Sequence, residues 1–129
     1  MQSSVVPARH DPALVYHLAL GEEWAESVGL GKPYARSTLG RSLAEEGFIH
    51  CSFASQVSRI ADLVYEGRGD VVLLVIDLSA VSADVRIENC EGGDERFPHI
   101  YGALPTNAVI RAETVPLRED GTLDLTGLL

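Results

Sequence analysis

The chain has 129 residues, with 10 basic against 19 acidic side chains, a net charge of -9 and a pI near 4.7. Its 46% hydrophobic and 22% charged residues fit one globular domain and exclude disorder, collagen and repeat arrays as overall classes. A surface that grips phosphates needs clustered Lys and Arg, so a single lysine, Lys32, and the acidic excess argue against nucleic acid and anionic membranes as partners.

Residues 1–13 read as a loose lead-in without the apolar stretch of a secretion signal. Residues 14–20 alternate as a strand, with Leu14, Tyr16, Leu18 and Leu20 on one face and Val15, His17 and Ala19 on the other. Gly21 opens a short helix. Glu22 and Glu23 favour its first turn, Trp24 and Val28 stack one turn apart, and Gly29 is its expected stop. Residues 34–46 are ambiguous, a short strand followed by a turn rich in hydroxyls. Residues 48–53 alternate again, Ile49, Cys51 and Phe53 against Phe48, His50 and Ser52.

Residues 55–66 predict a helix with the apolar stripe Val57, Ile60, Ala61 and Val64, ended by Gly67. The continuous apolar run 71–76 suits a strand buried on both sides and is far short of the roughly 20 residues that span a membrane. Residues 85–88 and 108–115 are further strands, 91–98 a loop around Gly92-Gly93, and 119–129 an acidic tail. Helices and strands mix without a βαβ rhythm. The expectation is one α+β domain over residues 14–118, with a curved or split sheet and two main helices. Without a secretion signal, Cys51 and Cys90 are expected as free thiols in a cytoplasmic protein.

Two strands each carry a histidine on the face opposite their large apolar side chains: His17 beside Ala19, and His50 beside Ser52. One such imidazole alone is as well explained by a hydrogen bond that pins a loop. The pair suggests two strands flooring a ligand cleft. A third, His99, lies in Phe97-Pro98-His99-Ile100-Tyr101-Gly102, where proline and glycine stiffen a short extended segment. His10 has no such context. Three imidazoles around an open position could hold a catalytic zinc, but no two histidines stand at short ligand spacing and Cys51 points away from His50. No metal is therefore expected, and a nucleophile built on Cys51 with His50 fails for the same reason. The carboxylates Glu88, Glu91, Asp94 and Glu95 read as a solvated loop, or one of them as a general base that steers a hydroxyl. Arg36, Arg41, Arg68 and Arg96 stand in loop-like contexts where they could meet a phosphate or carboxylate.

The strings Val15-Tyr16-His17-Leu18, Glu46-Gly47-Phe48-Ile49-His50-Cys51-Ser52 and Phe97-Pro98-His99-Ile100-Tyr101-Gly102-Ala103-Leu104-Pro105 resemble the signature of a small bacterial family known as domain of unknown function 952, over about residues 14–117. That family is similar in pattern to the ADP-ribosyltransferase-like fold, a split sheet that clasps NAD. The resemblance implies NAD or a related nucleotide as substrate and transfer chemistry at the sugar, with no further cofactor. Carried onto this chain, it implies a ligand contact at His17, sugar contacts at His50 with Ser52, and a catalytic role at His99 or a nearby acid such as Glu95. His50, His99 and Glu95 are thus the expected catalytic residues, and His17, Ser52, Tyr101 and Arg36 the expected ligand contacts. The chain departs from the NAD-using pattern after His17, where Leu18-Ala19 stands in place of a glycine and a hydroxyl. Two further readings stay open: histidine acid–base chemistry on a non-nucleotide small molecule, and a non-catalytic ligand-binding module.

Overall fold

A computed structural model of the chain describes residues 13–90 and 92–129, so His10 and Glu91 lie outside the described residues. The elements in chain order are β1 (Leu14–Leu20), α1 (Gly21–Leu30), α2 (Leu43–Glu46), β2 (Ile49–His50), α3 (Ala54–Tyr65), β3 (Val71–Asp77), β4 (Asp84–Glu88), β5 (Phe97–Tyr101) and β6 (Val109–Thr114). Short 3-10 turns lie at Thr38–Gly40, Leu78–Ala80 and Thr106–Ala108. The strands form two antiparallel three-stranded sheets, the first in order β1-β3-β6 and the second in order β2-β5-β4.

The apolar run of β3 explains the layering. It sits in the middle of the first sheet, flanked by β1 from Leu14↔Asp77 to Leu20↔Val71 and by β6 through a bulge at Val75/Ile76. Val71, Leu73 and Val75 face α3 and join Tyr16, Leu18, Val57, Ala61 and Tyr65 in one core. Leu74 and Ile76 face the second sheet and join Val15, Ala19, Ile49, Cys51 and Ile100 in another. Leu73, Leu74 and Ile76 are exposed by 1% or less, which stabilises the fold by about 2 kcal/mol apiece. A strand covered on both faces has no polar side, which is why its sequence does not alternate.

The same layering divides the reading of β1. Its Val15–His17–Ala19 face was expected to border a cleft. Val15 and Ala19 are 1% exposed and pack on the second sheet, while His17, 2% exposed, lies between that core and the cleft it lines.

α1 runs past Gly29 to Leu30 and is closed by Gly31 at φ 64, the left-handed cap that glycine favours. α2 begins with a reciprocal pair, Ser42 Oγ accepting from the Glu45 N–H and Glu45 Oε1 accepting from the Ser42 N–H. It ends at Gly47, φ 92, which turns the chain into β2. That strand is shorter than expected, but the alternation holds: Ile49 and Cys51 are core residues while His50 is half-buried. Gly102, just after β5, lies where a Cβ would come within 2.7 Å of the Ala83 Cβ, so the close approach of these two segments requires glycine.

Residues 119–129, expected as an acidic tail, return to the body. Leu123 and Leu125 join the core beside α3, and the Leu123 N–H donates to Asp62 Oδ1 at 3.1 Å. Asp120 and Asp124 accept from the Thr122 and Thr126 N–H groups in turns, which frees the intervening leucines to point inward. Among the described residues, no helix is long and apolar enough to cross a membrane.

Candidate functional site

The two sheets are joined at one bridge, where the Tyr16 and Ser52 backbones exchange hydrogen bonds of 2.8 and 2.7 Å. Beside this bridge the strands diverge and leave a cleft of two lobes that share Thr38, His50 and Phe97. The first lobe, about 210 Å³, has an apolar wall from Leu18, Ile60, Val64 and Tyr65, with His50 and Ser52 opposite. The second, about 160 Å³, is bounded by Glu46, Phe48, Cys90 and His99. No arginine or lysine is among the described residues that line either lobe.

The three histidines gather around this cleft in different states. His17 Nδ1 lies 2.6 Å from the His50 carbonyl. A carbonyl only accepts, so Nδ1 carries the proton and donates it, and the neutral ring's Nε2 accepts from the Tyr34 hydroxyl at 2.9 Å. Burial holds the His17 pKa down to about 4. With both nitrogens engaged and Tyr34 itself fully buried, His17 ties β1 to the backbone of β2.

His99 is also buried, and pairs across the sheet with His50 on one side and Arg86 on the other. Its Nδ1 lies 2.9 Å from Glu88 Oε2, and the Phe48 ring stacks on it at 3.9 Å between centroids and 18° between planes. Glu88 also accepts from the Tyr101 hydroxyl. These bonds, Tyr101 first and His99 second, hold the Glu88 carboxyl below the usual carboxylate range, and the same contact pushes Tyr101 up to about 12.

His50 differs from both. Its backbone N–H donates to Ser37 Oγ at 3.1 Å, yet among the described residues neither ring nitrogen has a hydrogen-bond partner. The ring lies between Phe97 and His99, 5.0 and 5.2 Å away between centroids. Burial, with His99 adding to it, lowers its pKa to about 4, so the ring faces the cleft neutral at pH 7.

The other expected site residues are distributed unevenly. Ser52 is buried and lines the first lobe. Tyr101 lines neither lobe and reaches the site through Glu88 and through its ring contact with Phe48, with the Arg86 guanidinium 4.2 Å above its ring. Arg36 is directed to Glu23 Oε2 at 3.6 Å and the Gly40 carbonyl at 3.2 Å, and lines neither lobe. Glu95 pairs with Arg59 and accepts from Gln56 Nε2 at 3.2 Å, fastening the approach to β5 onto α3. The carboxylate that meets His99 is therefore Glu88. Alternation in β4 places Glu88 on the histidine face once that strand is paired with β5.

Thr38 is a wall residue that sequence reasoning did not single out, although it stands in the hydroxyl-rich stretch. Its neighbour Leu39 takes φ 54, a left-handed conformation costing a leucine about 1–2 kcal/mol. The Leu39 N–H donates to the Tyr65 hydroxyl at 2.8 Å, and that hydroxyl donates to the Leu18 carbonyl at 3.2 Å. These bonds hold the turn over the cleft.

A family model described as a protein of unknown function (DUF952) matches residues 21–112. The crystal structure of protein CC0527 from Caulobacter crescentus is similar, with 29% identity and a TM-score of 0.76, covering 88% of this chain and 96% of that one. The solution NMR structure of the same protein gives 29% identity and a TM-score of 0.75 over 90% and 96%. No curated protein matches the chain.

Proposed function

The chain belongs to the DUF952 family, and we propose that it binds a compact small molecule in the two-lobed cleft, with His50 as the group that hydrogen-bonds it. The observation carrying this reading is the pair of unengaged ring nitrogens on His50, set where the lobes meet. A half-buried imidazole without a partner in the protein is satisfied by a ligand or by water. Because burial keeps it neutral at pH 7, one ring nitrogen donates a hydrogen bond and the other accepts one, and a ligand group that offers both, such as a carboxamide or a hydroxyl, is the complementary partner.

The cleft also narrows the ligand class. The first lobe offers an apolar wall opposite a polar one, and the second adds the acidic Glu46. This suits a ligand with an apolar body and an uncharged or cationic polar edge. Nicotinamide, a fragment implied by the ADP-ribosyltransferase-like resemblance, meets that description with its aromatic ring and carboxamide edge. An intact dinucleotide meets it less well, because the lining has no cation to face a pyrophosphate.

The test is a thermal-shift screen of small polar metabolites that includes nicotinamide, ribose, ADP-ribose and NAD, with calorimetry on the hits. We expect at least one compact ligand to stabilise the chain, and His50→Ala to weaken it at least tenfold in a protein that still folds. Unchanged affinity in that variant would remove His50 from the site. Strong stabilisation by NAD and ADP-ribose but not by their fragments would favour the nucleotide reading.

A further inference from the structure

At the outer end of the second lobe, three side chains of different chemistry converge. Glu88 closes β4, Cys90 follows two residues later, and His99 stands on the neighbouring strand β5, on the same face as Glu88. His99 Nδ1 is 2.9 Å from Glu88 Oε2 and 3.8 Å from Cys90 Sγ, and the three donor atoms all lie within 4.8 Å of one another. We propose that Glu88, Cys90 and His99 form a three-ligand site for a divalent transition metal of the zinc class, with its fourth position open to the cleft.

The spacing supports this. Around a tetrahedral zinc, nitrogen, oxygen and sulfur donors stand about 3.3–3.7 Å apart, given bond lengths of roughly 2.0–2.3 Å. The two separations from His99, 2.9 and 3.8 Å, bracket that range, and the third lies within 4.8 Å, so modest side-chain shifts would admit an ion. The mixed carboxylate, thiolate and imidazole set selects zinc, cobalt or a similar borderline ion over magnesium or calcium, which take oxygen ligands.

The surroundings resemble the outer support of a metal site. Tyr101 donates to Glu88 and fixes its carboxylate, and Phe48 stacked on His99 fixes the plane of the imidazole. Binding would release one proton, from the Cys90 thiol. The His99 proton would pass from Nδ1 to Nε2, leaving Nδ1 to ligate. The bound ion would then face the second lobe, close to His50, whose ring centroid is 5.2 Å from that of His99.

This inference does not rest on the ligand proposed for His50. The test is to free the full chain of metal with a chelator and titrate it with cobalt(II) under anaerobic conditions. One equivalent is expected to bind, with a near-ultraviolet thiolate-to-cobalt band and the visible bands of a four-coordinate ion, and zinc should displace it. Cys90→Ser should abolish the thiolate band. Cys51→Ser, at the buried thiol of the other face, should retain it. Tyr101→Phe should weaken the metal about tenfold, the usual effect of removing an outer support.

Absence of a saturable spectrum, or a thiolate band that survives Cys90→Ser, overturns the assignment. The metabolite screen on metal-free protein reads the His50 site separately, so either reading can fail without the other.

Discussion

His17 in the first sheet and His50 in the second lie on facing strands and are joined through the His50 carbonyl, yet their surroundings give them opposite tasks. β1 has both faces covered, by α3 on one side and by the second sheet on the other, so an imidazole there is tolerated only with every polar atom satisfied inside the protein. The second sheet buries the Ile49 and Ile100 face and leaves the His50 face at a cleft. A histidine on that face can remain without a protein partner. Coverage of the sheet, more than residue type, decides which imidazole is a brace and which can meet a ligand.

The largest effect is expected at His17. His17→Ala leaves the Tyr34 hydroxyl and the His50 carbonyl buried without their partner and opens a void, a loss of about 3–5 kcal/mol that urea denaturation would measure. If that variant kept its stability and lost only ligand affinity, the two histidines would have exchanged roles.

The next effect is on pH dependence. The folded state holds His17 near pKa 4, below the 6.5 of an unfolded chain. Its contribution is therefore fully present above pH 6.5 and is lost as pH falls from there through about 4, because the unfolded chain takes up the proton first. The denaturation midpoint should be flat above pH 7 and decline below 6.5. The change belonging to His17 is on the order of 3 kcal/mol. A flat profile down to pH 5 would contradict the sealed, neutral imidazole.

The smallest effect is expected at Glu95. Its bond to Arg59 is solvent-exposed, so Arg59→Ala should cost no more than about 0.5 kcal/mol and leave ligand affinity unchanged. A loss of affinity would bring Glu95 back into the working site.

Much of this layout is legible in the sequence, because each element follows local rules. The β3 run has no polar side, α3 has a stripe at helical spacing, and the alternation from Phe48 to Ser52 separates Cys51 from His50. What local rules do not carry is which face another layer will cover. Val15, His17 and Ala19 look like the small, mixed face of a cleft, and only the packing of the second sheet shows that Val15 and Ala19 are core while His17 still borders the first lobe. The partner of His99 was equally hidden. Glu95 is nearer in sequence, but antiparallel pairing of β4 with β5 brings Glu88 to the ring. The inward return of Leu123 and Leu125 depends in the same way on contact with Tyr65 and α3.

The strand order of the first sheet also bears on how the molecule is made. Of the described strands β1 is translated first, but among the described residues its neighbour in that sheet is β3, and the far edge of β3 stays open until β6 has been synthesised. Its pairings are between segments far apart in sequence, which makes for slow, concerted acquisition of structure. A nascent chain halted before Val109–Thr114 would present the unpaired edge of its most apolar strand. Such an intermediate is one that chaperones hold and proteases clear, so truncation within the last strand should be felt first as lost yield.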